Sequence, residues 1–190
     1  LFERIPTTEA QALTKRVKYY IQLSSPFSLS DECPNLRQLS CWKKSAYYYD
    51  LRSLLRYYPP SLHFLHLFGD VVAVPTAPAF VKCRPLNQEN SNSVIVKLNR
   101  VRHFRKIRDQ LSFSEKIPRL VWRGQVHRPW RQNLVNQYYN HPSCDIGQVN
   151  DPSQGLPNAI QKNRLRVYEQ LKYKFILSVE GNDIATNLKW

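Results

Sequence analysis

Strand-type and helix-type patterns alternate along the last third of the chain, and this alternation is the strongest constraint on the fold. An apolar run at residues 120–122 precedes a helical pattern that opens at Pro129, and a second run follows at residues 144–149. A helical pattern at residues 165–171 then leads into a third run, at residues 175–179. Because alternating strands and helices build parallel sheets, the sequence predicts an α/β fold.

Polar turns follow the first and the third apolar run. An Arg-Gly turn is predicted at Arg123, and the segment EGNDIATNLKW places a second turn at Gly181 with a helix start behind it. Carboxyl ends of parallel strands meet at one edge of a sheet, where ligands bind. A helix N-terminus there offers N–H donors to an anion, and arginine binds phosphate oxygens in a forked geometry. The two turns therefore predict a site for a phosphate-bearing ligand.

Two helices are predicted in the first half of the chain. Thr8 followed by Gln11 has the spacing of a capping box, and the apolar residues behind it place a helix over residues 9–23. The second helix covers residues 47–58, where apolar residues keep a three-to-four spacing until Pro59 stops it. The tyrosines of this helix are interpreted as packing residues rather than as platforms for nucleic-acid bases.

Two short strands and a charged loop are predicted next. Residues 71–74 form a continuous apolar run, and residues 94–98 form a second, mainly apolar segment. The loop between them carries Lys82 and Arg84 beside two prolines, which keep its backbone extended. Such a loop can present charged side chains in a fixed direction, which favours an anion-binding role.

A new alternation of strand-type and helix-type patterns begins at Pro118, which predicts two domains, residues 1–117 and residues 118–190. The chain begins at Leu1, contains no Met and stops within an apparent helix, which indicates a fragment with a truncated second domain. No apolar run approaches the roughly 18 residues of a membrane span, and the four cysteines lack CxxC spacing. These features predict a soluble protein of a reducing, cytoplasmic compartment.

The formal net charge of +14 predicts an anionic partner: nucleic acid, acidic lipid headgroups or phosphorylated sugars. The motifs GxGxxG, GxxxxGK and GxSxG are absent from the sequence, which argues against common NAD, ATP and serine-hydrolase sites. The sequence also lacks an Asp-x-Asp pair, so neither a bound metal nor another cofactor is expected. A basic nucleic-acid-binding module without catalysis is the alternative function, although no nucleic-acid-binding signature is present.

Three blocks of the sequence resemble the family 90 glycosyltransferases, which include capsule-associated proteins and protein O-glucosyltransferases. These blocks are LVWRGQVHRPWRQNL, CDIGQV and LKYKFILSVEGNDIATNLKW, and the resemblance extends over residues 47–190. It is greatest for the bacterial lipopolysaccharide A branch, to which the segments FGDVVAVPTAPAFVKCRPL and VRHF are also similar. The resemblance implies a GT-B-like fold, with two Rossmann-like domains facing a cleft, and inverting, metal-independent transfer from a nucleotide sugar.

The resemblance also implies a set of site residues, carried over by position. The implied donor-binding residues are Arg123, Gly124, Gln125, Arg131, Asp145, Gly181, Asn182, Asp183, Thr186 and Asn187. Many eukaryotic members have an arginine where this chain has Asn187, which leaves more of the phosphate neutralisation to Arg131 or to a residue beyond Trp190. The family's catalytic base is an acid of the first domain; the matching loop here has Thr76, and the nearest carboxylate is Asp70. Asp70 is therefore the candidate base, with a turn residue as the alternative interpretation.

Charge and resemblance together predict a hexosyltransferase that moves glucose or galactose from its UDP form to the inner core of lipopolysaccharide. The expected partners are the nucleotide sugar and this phosphorylated acceptor, with Lys82 and Arg84 as candidate anion-binding residues; nucleic acid is not expected. The +14 charge favours peripheral contact with the acidic cytoplasmic surface of the inner membrane.

Overall fold

The computed structural model describes residues 6–41, 43–86, 89–151, 154, 157 and 160–189. The chain divides into two compact units, Leu1–Arg105 and Lys106–Trp190. Each unit combines helices with parallel strands, so the predicted α/β class is confirmed. Assignment of the units to an acceptor side and a nucleotide-sugar side stays a prediction, as does the GT-B arrangement.

Unit 1 begins with two helices, α1 (Thr7–Tyr20) and α2 (Ala46–Leu55), separated by a 3-10 helix at Gln38–Cys41. The predicted capping box is wrong, because Pro6 precedes α1 and its carbonyl accepts the Ala10 N–H at 2.9 Å. Thr8 therefore lies inside the first turn. Helix α2 begins after Ser45, whose hydroxyl accepts a hydrogen bond from the Tyr48 N–H at 3.2 Å.

The small sheet of unit 1 pairs β1 (Ala79–Val81) in parallel with β2 (Ser93–Ile95). The strand predicted at residues 71–74 is wrong, because the pairing falls on β1, inside the predicted loop. Residues 71–74 lie outside the strands, with Val71 buried and Val72 64% exposed. The second predicted strand is shorter than expected, and it begins at Ser93.

The core of unit 1 forms around α2. Its buried residues are Leu39, Tyr48, Leu51, Leu55, Phe64 and Leu98. A single-turn helix, α3 (Arg100–His103), follows, and its first N–H donates to the Asp50 carboxylate at 2.8 Å. This bond links α3 to α2, the central helix of the unit 1 core.

Unit 2 is a parallel sheet with helices between its strands. In chain order it comprises β3 (Ile117–Gly124), α4 (Pro129–Tyr138), β4 (Cys144–Gln148), α5 (Val167–Gln170) and β5 (Tyr173–Ile176). The strand order is β4-β3-β5, with both pairings parallel. The three strands predicted here are confirmed, as is the helix that opens at Pro129.

Two local predictions for unit 2 are wrong. Arg123 and Gly124 belong to β3, and the turn begins at Gln125. The glycine leaves room for the indole of Trp122, since a Cβ on Gly124 would lie 2.4 Å from Trp122 Cζ2. The predicted helix after Gly181 is a 3-10 helix of four residues, Thr186–Lys189, too short to present a substantial dipole to a ligand.

Successive strand residues point to opposite faces of the unit 2 sheet. One face packs against α4 and contains the apolar core residues Trp122, Val126, Val135, Cys144, Ile146 and Ile160. The other carries Arg123 and Asp145, joined by an ion pair, and is named the polar face. None of the helices in the described part of the chain is long and apolar enough to cross a membrane.

Candidate functional site

The unit 2 sheet contains a topological switch point. From the central strand β3 the chain passes to β4 on one side, and it later returns to β5 on the other. The segments that follow β3 and β5, residues 125–131 and 177–187, therefore lie at the same carboxyl edge of the sheet. They are named the edge segments. Ligands of open α/β sheets bind in the crevice outside such an edge.

Arg131 joins the two edge segments. Its Nε donates to the Glu180 carbonyl at 2.9 Å, its Nη1 to the Gln125 carbonyl at 3.0 Å and its Nη2 to the Val179 carbonyl at 2.7 Å. The guanidinium also lies 5.6 Å from the centre of the Trp122 ring. Burial lowers the pKa of Arg131, and the charge of Glu180 opposes this shift. Three of the five guanidinium N–H groups are used in these bonds, and two remain.

Two further side chains reinforce the contact between the edge segments. Arg128 Nη2 donates to Asn182 Oδ1 at 2.6 Å, and Trp130 Nε1 donates to the Glu180 carbonyl at 3.3 Å. Sequence reasoning missed both Arg128 and Trp130, although the block HRPWRQ contains them beside Arg131. The signal was their position at the start of α4, directly after a strand.

Gly181 and Asn187 shape the segment after β5. A Cβ on Gly181 would lie 3.2 Å from Arg131 Nη2, so the glycine permits the close approach of the guanidinium. The Gly181 N–H donates to the Asp183 carbonyl at 3.0 Å. Asn187 Nδ2 donates to the Leu177 carbonyl at 2.9 Å, which ties the 3-10 helix, opened by Thr186, to the end of β5.

Asp145 is the centre of a network on the polar face. Its Oδ1 accepts from Arg123 Nη2 at 2.9 Å and from Lys162 Nζ at 2.8 Å, and its Oδ2 accepts from the Tyr173 hydroxyl at 2.5 Å. Arg123 donates in addition to the carbonyls of Asp145 at 2.6 Å and Asn163 at 3.1 Å. Burial alone would raise the pKa of Asp145, but the hydrogen bonds from Lys162, Tyr173 and Arg123 outweigh it and hold this pKa well below its usual range.

The implied donor-binding residues therefore fall into two groups. Gln125, Arg131, Gly181, Asn182 and Asn187 lie together in the edge segments, with Asp183 and Thr186 in the same stretch. Arg123 and Asp145 lie on the polar face, where they bind each other. Gly124 ends β3 beneath the Trp122 ring. A donor-binding role for any of these residues stays a prediction.

Of the three candidate residues of unit 1, Asp70 and Lys82 bind each other and Arg84 binds elsewhere. Lys82 Nζ donates to Asp70 Oδ1 at 2.9 Å, and the lysine side chain is only 5% exposed. Gly69, which directly precedes Asp70, has a positive φ of 97°. Arg84 is directed elsewhere: its Nη2 donates to the Tyr19 carbonyl, and its Nη1 to the Ser93 carbonyl at 3.5 Å. A role for Asp70 as base stays a prediction.

Metal ligands are not clustered in the described part of the chain, where no group of three or more His, Cys, Asp and Glu side chains is placed to hold an ion. Metal independence itself stays a prediction, because the reaction is not observed in the structure.

Comparison with known proteins adds one relative. The chain is 44% identical over 189 residues to a protein named O-glucosyltransferase LpsA from Dichelobacter nodosus. The match covers 100% of this chain and 59% of the relative's length, so this chain spans only part of such a protein. No family model and no solved structure matches the chain. The finding supports a glycosyltransferase relative, while membership of family 90 stays a prediction.

Proposed function

We propose that this chain is the part of a glycosyltransferase that binds a nucleotide sugar at the edge segments. The observation that carries the proposal is its 44% identity, over its whole length, to a protein named O-glucosyltransferase LpsA. The proposed donor is UDP-glucose or UDP-galactose, and the proposed acceptor is the inner core of lipopolysaccharide. The edge segments are the favoured place for the donor because they lie at the switch point of the sheet.

The edge segments carry two arginines, Arg128 and Arg131, beside the carboxylates Glu180 and Asp183, and the arginines are the groups that suit a diphosphate. Arg128 and Arg131 bring two cations to the start of α4, a helix of 10 residues whose dipole also favours an anion there. Arg131 retains two N–H groups beyond its three bonds to backbone carbonyls, on a guanidinium already held in position. Trp130, which is 44% exposed, adds an aromatic surface next to Arg128. These groups match a charged diphosphate joined to a planar base.

The proposed reaction is an inverting displacement without a metal ion. The acceptor hydroxyl loses its proton to a base, its oxygen forms a bond to the anomeric carbon, and the bond from that carbon to the diphosphate breaks. The diphosphate departs with the electron pair, so cations held in place at this position lower the barrier. Asp70 is the proposed base, while Lys82 and Arg84 are the proposed acceptor-side cations.

Arg123 and Asp145 have a supporting role in this proposal. Their ion pair, together with Lys162 and Tyr173, joins β3, β4 and β5 on the polar face. Two of these strands, β3 and β5, carry the edge segments at their carboxyl ends. We therefore assign Arg123 and Asp145 to the positioning of the strands, and the direct donor contacts to the edge segments.

The test is the transfer of labelled hexose from UDP-glucose and from UDP-galactose to lipopolysaccharide core, using the full-length protein. Arg131→Ala and Arg128→Ala are expected to lower turnover at least about tenfold and to weaken UDP binding in calorimetry. Arg166→Ala is the matched control, because Arg166 is an exposed arginine of the same unit outside the edge segments. Thermal unfolding of each variant separates loss of binding from loss of folding.

Unchanged turnover with both donors in both edge variants would contradict the placement of the donor. The alternative function makes the opposite prediction for binding: no affinity for UDP, and association with duplex DNA that weakens steeply as salt rises. That pair of results would replace the transferase proposal with a nucleic-acid-binding module.

A further inference from the structure

Unit 1 contains a cavity of about 410 Å³ that lies along helix α2. Its described lining residues are Leu36, Leu39, Lys44, Tyr48, Arg52, Leu55, Arg56, Tyr58 and Pro60. The volume is within the range of roughly 300–1,000 Å³ that is typical of small-molecule sites. None of these residues belongs to the proposed donor or acceptor residues, so the cavity is a separate feature of the molecule.

The floor of this cavity is apolar and its rim is cationic. Leu39, Tyr48 and Leu55 are 6%, 2% and 6% exposed, and all three belong to the unit 1 core. Lys44, Arg52 and Arg56 are exposed. Side chains four apart share one face of a helix, so α2 itself places Tyr48 on the floor and Arg52 on the rim.

The charged side chains among the described lining residues are all cations. No described lining residue carries a carboxylate. The Arg56 guanidinium donates to the Tyr57 hydroxyl and lies 4.6 Å from the centre of that ring, which restricts its orientation. Lys44 immediately precedes Ser45, the N-cap of α2, where the partial positive charge of the helix adds to that of the ammonium. Guanidinium and ammonium groups together are well suited to phosphate.

We infer that this cavity binds a small amphipathic anion, a phosphate monoester with an apolar chain. The apolar chain packs on Leu39, Tyr48 and Leu55, and the phosphate binds the cations of the rim. Neither part of the cavity suffices alone, because an uncharged apolar ligand leaves the rim unused and a free phosphate leaves the floor in water. Since the inference uses no residue of the nucleotide-sugar proposal, either can fail without the other.

Calorimetry with three probes tests the inference on the chain as it stands. Octyl phosphate, titrated below its micelle concentration, is expected to bind at least about tenfold more tightly than octyl glucoside or inorganic phosphate. Arg52→Glu is expected to weaken octyl phosphate binding at least about tenfold, because it puts a like charge on the rim. Lys15→Glu is the matched control on α1, outside the cavity, and should change the affinity less than about twofold.

Each other outcome overturns the inference. Equal affinity for octyl phosphate and inorganic phosphate would mean a plain anion site, and equal affinity for octyl glucoside would mean apolar contact alone. Equal weakening by Arg52→Glu and Lys15→Glu would mean attraction to the overall charge of the chain. If Arg52→Glu does not fold, Arg56→Gln decides the matter, because it removes the charge and keeps a polar side chain on the rim; unchanged affinity in that variant would overturn the inference.

Discussion

Gly147 leaves room for the side chain of Lys162 on the polar face. A Cβ on Gly147 would lie 2.6 Å from both Cγ and Cδ of Lys162 and 2.8 Å from its Cβ. These atoms form the stem of the lysine rather than its mobile tip, so a rotation of the terminal bonds cannot relieve the contact. We expect Gly147→Ala to lower the free energy of unfolding by roughly 1–3 kcal/mol, as overpacking generally does. Urea denaturation of the chain measures this change.

The double variant supplies the control for this prediction. In a Lys162→Gly background the whole side chain of the lysine, including its Cβ, is absent, so Gly147→Ala should cost far less than in the original chain. An equal cost in both backgrounds would show that the backbone of β4, rather than Lys162, requires the glycine.

Asp145 makes the free energy of unfolding depend on pH in the acidic range. The pKa of a free Asp side chain is about 3.9, and the pKa of Asp145 in the folded chain is well below its usual range. A depressed pKa contributes stability that is fully present above the pKa of the unfolded state and is lost as pH falls through that of the folded state. We expect Asp145→Asn to cost roughly 3–5 kcal/mol at neutral pH, because it leaves Arg123 and Lys162 without their anion. This difference should shrink as pH falls below about 4.

Unfolding curves recorded from pH 2 to pH 7 check this prediction. Tyr173→Phe is the graded control, since it removes one of three donors to Asp145 and should give a smaller loss at neutral pH. A difference between the original chain and Asp145→Asn that stays constant over the whole pH range would contradict the role assigned to the carboxylate.

The residues of the candidate site differ in how far the sequence predicts them. Arg131 and Gly181 were both expected at one site, and the structure brings them together across 50 positions of sequence. Lys162 and Tyr173 were not expected, because they reach Asp145 from 17 and 28 positions away. Tyr173 is brought there by the pairing of β3 with β4 and β5, and Lys162 by the bond from its N–H to the Gln148 carbonyl at the end of β4. Register between distant strands leaves no local pattern in the sequence, so such partners become visible only in three dimensions.

The helices and strands that were predicted correctly have local sequence signals, whereas a strand that depends on a distant partner was predicted wrongly. Helix α4 and strand β4 were predicted correctly because Pro129 and the apolar run at residues 144–149 are local signals. Residues 71–74 were predicted wrongly as a strand, since a strand forms only where a partner exists, and β2 pairs with β1 instead. Gly124 was predicted to lie in a turn, but it belongs to β3. A glycine is present there because a Cβ would collide with the indole of Trp122.

Arg131 holds the segment after β5 through three bonds to backbone carbonyls in the edge segments, two of them after β5. This segment has little regular structure of its own beyond the 3-10 helix Thr186–Lys189, so its order depends on such contacts. We expect Arg131→Ala to accelerate amide hydrogen exchange across residues 177–183 by at least about tenfold, while β4 keeps its protection. Exchange measured by mass spectrometry on the chain without ligand gives this result independently of activity.

Arg166→Ala is again the matched variant for this experiment. Arg166 lies in the same unit and donates to the Tyr168 hydroxyl at 2.8 Å, outside the edge segments. Faster exchange across residues 177–183 in both variants would point to general destabilisation of unit 2. Unchanged exchange in Arg131→Ala would show that the segment is ordered without the guanidinium.

The molecule as a whole has two cores and one dominant charge. Each unit buries its own set of apolar side chains, the first around α2 and the second between α4 and the sheet. Ion pairs leave the formal net charge of +14 unchanged, because each joins one cation to one anion. Charge of this size acts at long range in dilute salt, where the screening length is about 30 Å at 0.01 M and about 3 Å at 1 M. It therefore governs association with surfaces more than it governs the fold.

We expect the chain to bind vesicles that contain anionic phospholipid and not vesicles of phosphatidylcholine alone. Each Lys or Arg near an acidic membrane contributes about 1 kcal/mol, and this attraction falls off within a screening length. Sedimentation with vesicles should therefore show binding at 0.05 M salt that is lost by about 0.5 M. Duplex DNA of equal phosphate concentration is the necessary comparison, because attraction by charge alone draws the chain to both. Binding to phosphatidylcholine vesicles, or binding that resists salt, would mean that apolar contact dominates and that the +14 charge does not direct the protein to membranes.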